Sequence, residues 1–115
     1  MIAIHQSQFL PWLPYWYKVL KCDLFVILDD VQYQKNDVQN RNQIKTPKGV
    51  QWLTVPVSVS LGDPINKTRV ADVKVYDKLS KTIANNYKKA PFFEEVYGII
   101  EPIFKKDIDH LHSLY

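Results

Sequence analysis

Two short apolar runs, separated by the length of one helix, constrain the fold of this 115-residue chain more than any other feature of its sequence. The first run is Ile2–Ile4 and the second is Leu24–Leu28. A continuous apolar run of the second kind is typical of a parallel strand covered on both faces of its sheet. Pro11 and Pro14 fit the first turn of a helix over 11–21, because that turn needs no intrahelical N–H donors. The spacing therefore predicts a short strand–helix–strand unit with two parallel strands.

The middle third of the chain changes to an alternating pattern. Asn40–Thr46 and Val50–Val59 predict the two strands of a β-hairpin around the turn 47–49, where Pro and Gly suit a tight turn. Alternation places four apolar side chains of the second strand on one face: Leu53, Val55, Val57 and Val59. Pro56 has no N–H for a strand ladder, so we expect an edge strand or a bulge there. Arg69–Tyr76 alternates again and predicts a further strand.

The last third has helical periodicity. Leu79, Ile83 and Tyr87 form one apolar stripe on a helix that ends before Pro91. A second helix carries a longer stripe, made of Phe93, Val96, Tyr97, Ile100, Ile103 and Phe104. Asp107 has the character of an N-cap and predicts a third helix, which carries Ile108, Leu111, Leu114 and Tyr115.

These elements together predict the α/β class. One parallel pair of strands is too little to complete a sheet, so we interpret residues 1–115 as a single α/β domain that is incomplete, or as the N-terminal half of a larger one. A half-domain leaves apolar surface and strand edges uncovered. We therefore expect this chain to form a homo-oligomer through its last helix or a sheet edge.

Composition excludes several classes of protein. Hydrophobic residues make up 46% of the chain, which excludes disorder over most of it, and a single cysteine, Cys22, excludes an intramolecular disulfide framework. No apolar run approaches the roughly 18 residues of a membrane span, and the first residues do not form a signal peptide, which predicts a cytoplasmic protein. The net charge of +3 comes with dispersed lysines, so we expect no nucleic-acid partner.

Three polar clusters mark the places where chemistry is expected. His5 and Gln6 end the first strand, and Asp29, Asp30 and Gln32 follow the second. Because the carboxyl ends of adjacent parallel strands meet at one sheet edge, we expect these two clusters to lie together beside a helix N-terminus suited to anions. The third cluster consists of Asn40, Arg41 and Asn42 with flanking glutamines. An arginine among amides can bind a carboxylate or phosphate bidentately.

Each cluster also has a purely structural explanation. His5 fits a hydrogen-bonded histidine packed under the first helix, and Asp29 with Asp30 fits a turn after a strand. The segment 40–42 fits backbone capping within a hairpin. Five aromatic residues lie in or next to the first helix, and they either stack on a sugar or pack the helix against the sheet. They are Phe9, Trp12, Tyr15, Trp16 and Tyr17. The chain has three glycines, too few for a glycine-rich phosphate-binding loop, and its Cys and His residues do not have the spacing of zinc ligands. The residues therefore identify neither a cofactor nor a metal.

A series of longer segments resembles the WbqC-like family. They are Ile4-His5-Gln6, Phe9-Leu10-Pro11-Trp12, Phe25–Tyr33, Asn40-Arg41-Asn42, Trp52–Val57 and Asn86–Phe93. Ser7, Pro14 and Val38 depart from the family pattern. The resemblance implies a bacterial protein about twice this length, encoded with surface-polysaccharide genes such as those for O-antigen. It also implies transfer of glycine or another aminoacyl group.

The residues and the resemblance lead to one functional hypothesis: an N-acyl or aminoacyl transferase that takes a small-molecule donor and a sugar-type acceptor. In it His5 is the general base and Asp29 or Asp30 orients the base or the acceptor. Six residues bind the substrates: Gln6, Gln32, Asn40, Arg41, Asn42 and Lys45. Two alternatives remain open from the sequence, a nucleotidyltransferase-like enzyme and a non-catalytic sugar-binding module of the same pathway.

Overall fold

A computed structural model describes residues 1–106 and 108–110 as a mixed α/β structure. In chain order its strands and helices are β1 (Ile2–Gln6), α1 (Leu13–Lys21), β2 (Leu24–Leu28), β3 (Arg41–Thr46), β4 (Gly49–Thr54), β5 (Val57–Ser58), β6 (Arg69–Val70), α2 (Val75–Tyr87) and α3 (Phe93–Phe104). A short 3₁₀ turn, Ile65–Lys67, precedes β6. The strands pair two by two, β1 with β2, β3 with β4, and β5 with β6.

The predicted strand–helix–strand unit is confirmed. β1 and β2 are parallel, with His5 opposite Ile27. Tyr15 of α1 is buried and its ring contacts His5 and Phe25, so α1 covers that face of the two strands. The expectation that β2 is covered on both faces is wrong for the described part of the chain. Val26, on the face away from α1, is exposed, because a single helix on a two-stranded sheet can cover only one side.

The predicted hairpin is also confirmed, with antiparallel pairing of β3 and β4. Gly49 takes a positive φ of 111°, which side chains disfavour, and so allows the tight turn after Lys48. The Thr46 hydroxyl braces this turn by donating to the Gly49 carbonyl over 2.7 Å. The second strand of the hairpin ends at Thr54, just before Pro56, and β5 continues with a new partner, β6. Pro56 therefore interrupts the ladder, as its missing N–H predicts.

The strand predicted over Arg69–Tyr76 is wrong after its second residue. Only Arg69–Val70 is a strand, and α2 already begins at Val75. Asp72 redirects the chain, since its carboxylate accepts from the Lys74 N–H over 3.0 Å and its carbonyl accepts from the Val75 N–H over 3.2 Å. An Asp that bonds the backbone just ahead of it favours a turn over a strand.

The two long C-terminal helices are confirmed. The predicted stripe of α2 enters the core through Leu79 and Ile83, whereas in α3 Phe104 is buried and Val96 and Ile103 are exposed. The core cluster consists of Phe9, Tyr33, Leu53, Val55, Ile65, Val70, Tyr76, Leu79, Ile83 and Phe104. No residue of β1, α1 or β2 belongs to this cluster among the described residues. The core therefore lies between the hairpin, the segment before it and the two C-terminal helices, with the β1–α1–β2 unit beside it.

The third predicted helix is not helical where the structure describes it. Ile108–His110 has no helical conformation, and His110 forms an isolated antiparallel bridge with Arg69. The carbonyl of Ile108 accepts a hydrogen bond from the hydroxyl of the buried Tyr76, which ties this segment to α2. The other residues of that prediction, Asp107, Leu111, Leu114 and Tyr115, lie outside the described residues.

Candidate functional site

A buried glutamine joins the first polar cluster to the third. Gln39, 1% exposed, donates from Nε2 to Oε1 of Gln6 over 3.1 Å. Its own Oε1 accepts from the Gln34 N–H over 2.9 Å. One residue earlier, the Val38 carbonyl accepts from the Phe9 N–H over 3.0 Å. The loop after β1 and the segment before β3, far apart in sequence, are therefore held together. The amide oxygen of Gln6 accepts one of the hydrogen bonds that join them.

Asn42 adds a second clamp between the same two regions. Its Nδ2 donates to the carbonyl of Leu10 over 2.6 Å. Leu10 has a positive φ of 47°, an uncommon conformation for a residue with a Cβ. The Asn42 amide thus holds the strained turn that leads into α1, so the described structure uses this predicted substrate-binding residue to position a loop.

The predicted base and the two acidic residues follow the same sheet edge but share no hydrogen bond in the described residues. The parallel register places Gln6 opposite Leu28, so His5 and Asp29 both lie near the carboxyl ends of their strands. Nδ1 of His5 lies 2.7 Å from the Gln6 carbonyl oxygen, and its ring meets the Tyr15 ring edge-on at 5.1 Å. Asp29 is half-buried and Asp30 is exposed. Over residues 1–106 and 108–110, no hydrogen bond or ion pair joins His5 to either carboxylate.

Two further predicted binding residues, Gln32 and Lys45, have exposed side chains. Gln32 is exposed and forms an isolated bridge with Pro64. Lys45 lies along β3, where its N–H donates to the Tyr87 hydroxyl over 2.9 Å, and its side chain is exposed.

A cavity of about 410 Å³, lined on its apolar side by Pro56, Val57 and Val59, opens where β3 begins and β4 ends. We call it the Arg41 cavity. Its polar lining consists of Tyr33, Lys35, Asn36, Asn40, Arg41 and Thr54. Two of the predicted binding residues, Asn40 and Arg41, line it, whereas the sequence analysis missed Tyr33, Lys35 and Asn36. The sequence offered one indication of this loop, namely Asn36, because asparagine in a polar turn can adopt a left-handed backbone.

Arg41 is held in place by two contacts that leave several of its N–H donors without a partner in the described chain. Its Nη2 donates to the Asn36 carbonyl over 2.7 Å, and its guanidinium carbon lies 4.3 Å from the centre of the Trp52 ring. Its Nε is buried and has no acceptor in the described part of the chain. A guanidinium has five N–H donors, so most of them remain for a ligand. Asn36, which supplies the carbonyl, has a positive φ of 64°.

Two of the neighbouring polar side chains in the cavity, Tyr33 and Asn40, are buried. Asn40, 8% exposed, donates from Nδ2 to the Val55 carbonyl over 3.0 Å, and its Oδ1 has no donor among the described residues. Burial raises the pKa of Tyr33 above its ordinary value, although the positive charge of Arg41 opposes this. Tyr33 is therefore a neutral hydroxyl at pH 7. A cationic fork beside a buried acceptor and a neutral hydroxyl suits an anionic ligand with hydroxyl or amine groups of its own.

The described residues contain neither a cluster of metal-ligating side chains nor a membrane-spanning helix. No group of three or more His, Cys, Asp or Glu side chains lies close enough to hold a metal ion. None of the helices there has the length and apolar character that crossing a bilayer requires.

Comparison with known proteins places the chain in a family. Residues 6–115 match the WbqC-like protein family. The uncharacterized protein Rv1507c of Mycobacterium tuberculosis is 36% identical over 108 residues, which cover 92% of this chain and 47% of that protein. The chain thus spans about half the length of the curated relative it matches. No solved structure matches it significantly.

Proposed function

This chain belongs to the WbqC-like protein family, and from that membership we propose that it takes part in N-acyl or aminoacyl transfer to a sugar or sugar nucleotide. The pathway we propose is the assembly of bacterial surface polysaccharide, such as O-antigen, in the cytoplasm, with glycine as a candidate for the transferred group. The observation that supports it best is the Arg41 guanidinium, which lines the Arg41 cavity, stacks on the Trp52 ring and donates to the Asn36 carbonyl.

In this proposal the Arg41 cavity binds a carboxylate or phosphate of the donor or acceptor. The Asn36 carbonyl and the Trp52 ring fix the plane of the guanidinium, so little rotamer freedom is lost when an anion binds. Asn40 Oδ1 accepts a hydroxyl or amine hydrogen of the ligand, and the Tyr33 hydroxyl donates. Carboxylate and phosphate groups both have paired oxygens that can accept two parallel hydrogen bonds from a guanidinium.

His5 supplies the acid–base step in this proposal. Because Nδ1 faces the Gln6 carbonyl, Nδ1 carries the proton and Nε2 is free to accept one. The acceptor amine gives its proton to Nε2 as its nitrogen bonds to the acyl carbon. The bond from that carbon to the donor's leaving group then breaks, and the leaving group takes the proton from His5. Asp29 or Asp30, at the same sheet edge, orients the acceptor.

Binding measurements on the chain's two arginines test the cavity. Inorganic phosphate and glycine are titrated calorimetrically into the chain and into R41A, R41K and the control R69A. Arg69 is the only other arginine and pairs with Asp109 at the surface, so it matches Arg41 in charge without lining the cavity. We expect R41A to weaken phosphate or glycine binding at least about tenfold and R41K less, because Lys lacks the fork. Equal affinity in R41A and the unsubstituted chain would exclude the cavity as the anion site.

A second candidate, a non-catalytic sugar-binding module, is favoured by one observation, namely that no hydrogen bond or ion pair joins His5 to Asp29 or Asp30 in the described residues. A module of this kind needs only the cavity. Glycan composition in a host that carries H5A or D29N separates the two, since an enzyme loses the modified glycan and a module keeps it. Binding of a nucleoside triphosphate with Mg²⁺ would instead support the nucleotidyltransferase alternative.

A further inference from the structure

One face of the β1–β2 strand pair is apolar and uncovered in the described chain. The register pairs Ile2 with Leu24 and Ile4 with Val26, so these four side chains share the face opposite α1. They are 64%, 54%, 62% and 37% exposed, in that order. We call them the open face. None of the four belongs to the core cluster of the described chain.

An open face of this kind is unusual for parallel strands. Parallel sheets in globular proteins are covered on both sides, because their crossover helices lie on the faces. A sheet of two strands is also only marginally stable without packing on a hydrophobic face. Here α1 packs on one face through Tyr15, and the other face offers branched apolar side chains at adjacent positions of both strands. These properties are those of a buried interface.

We propose that the open face docks a helix-bearing polypeptide that corresponds to the part of the mycobacterial relative outside its match with this chain. That relative carries about as much polypeptide again as it shares with this chain, since the match covers 47% of it. A helix with an apolar stripe would cover this face of the two strands in the same way that α1 covers the other face. The proposal concerns assembly of the fold, and it holds or fails independently of what the Arg41 cavity binds.

The test compares the 115-residue chain with a chimera in which the chain replaces the matched half of the mycobacterial relative. In both proteins Ile4 and Val26 are changed together to Thr, which keeps the β-branched shape and strand propensity but adds hydroxyls. The matched control is Leu61→Thr, because Leu61 is 99% exposed in a loop. Melting temperature and the fluorescence of the dye ANS, which binds exposed apolar surface, are measured.

We expect I4T/V26T to lower the melting temperature of the chimera by about 5 °C or more, since two hydroxyls are then buried in an apolar contact. The chain alone and the L61T chimera should change by no more than about 2 °C. ANS fluorescence per mole should be several-fold lower in the chimera than in the chain alone.

Two results would overturn the proposal. One is a chimera that tolerates I4T/V26T as well as L61T and binds as much ANS as the chain alone. The other is a stable dimer of the chain alone, seen by sedimentation, that I4T/V26T dissociates while the same change leaves the chimera unaffected. That result would assign the open face to a second copy, in line with the homo-oligomer predicted from the sequence.

Discussion

The guanidinium carbon of Arg41 lies 4.3 Å from the centre of the Trp52 ring. Trp52 is on β4 and about half exposed, so it contributes to Arg41 chiefly as a flat surface that holds the guanidinium plane. We expect W52A to weaken binding of phosphate or glycine about two- to fivefold, the equivalent of roughly 0.5–1 kcal/mol for an exposed cation–π contact. W52F should keep most of the affinity. Calorimetric titration measures both, and W52A with unchanged affinity would contradict a positioning role for the ring.

Gln39 provides a second prediction, about stability. Its side chain is buried and bonds both Gln6 and the backbone of Gln34, so Q39A leaves polar groups unpaired inside the protein. We expect Q39A to lower the free energy of unfolding by about 1–3 kcal/mol. Q6A should lower it by less, because Gln6 is half-buried and water can take its place beside Gln39. Urea unfolding of the two single variants and the double variant measures their coupling. The exposed strand residue Gln51 gives the control variant, Q51A.

Local pattern was enough to predict the elements whose sequence and packing agree. The apolar runs of β1 and β2 and the turn at 47–49 belong to this group, because periodicity, proline and glycine act within a few residues. The strand predicted through Tyr76 failed because Val73 and Val75 alternate with polar residues, as in a strand, while the Asp72 carboxylate bonds the backbone ahead and starts a helix. A single side-chain hydrogen bond outweighed the alternation there.

The candidate site was only partly predictable for a related reason. Arg41 and Asn40 stand out as an arginine and an amide at the start of a strand, and they do line the cavity. Tyr33, Lys35 and Asn36 reach it through a loop whose path depends on the left-handed Asn36 and on the buried Gln39. Asn42, predicted to bind substrate, also bonds the Leu10 carbonyl, a contact that its sequence position does not indicate. Contacts between distant segments decide such roles, and sequence spacing does not report them.

The left-handed backbone at Asn36 gives a third prediction. This residue supplies the carbonyl that accepts from Arg41 Nη2, and its φ of 64° is tolerated by Asn and Gly but not by β-branched residues. We expect N36G to bind phosphate or glycine within about twofold of the unsubstituted chain, since glycine adopts this conformation readily. N36V should lose about 1–2 kcal/mol of stability and bind more weakly, because the loop must move the carbonyl. Equal binding by N36G and N36V would show that the carbonyl does not position Arg41.

The raised pKa of Tyr33 gives a prediction about alkaline pH. Burial raises the pKa of Tyr33 in the folded chain above its ordinary value of 10.0, with Arg41 lowering it and Asp37 raising it to a lesser extent. Between the two pKa values the folded chain holds a proton that the unfolded chain has released, so the free energy of unfolding falls as pH rises. This contribution is fully present below about pH 10 and is lost as pH rises towards the folded pKa.

Urea unfolding of the chain at a series of pH values from 8 to about 11 measures this decline. Tyr15 is also buried with a raised pKa, so part of the decline should persist in Y33F. We expect Y33F to flatten the slope relative to the unsubstituted chain, whereas Y17F, at an exposed tyrosine of α1, should leave it unchanged. A slope in Y33F as steep as in Y17F would mean that the Tyr33 hydroxyl titrates as in the unfolded chain, and that it is not the buried neutral donor assigned to the Arg41 cavity.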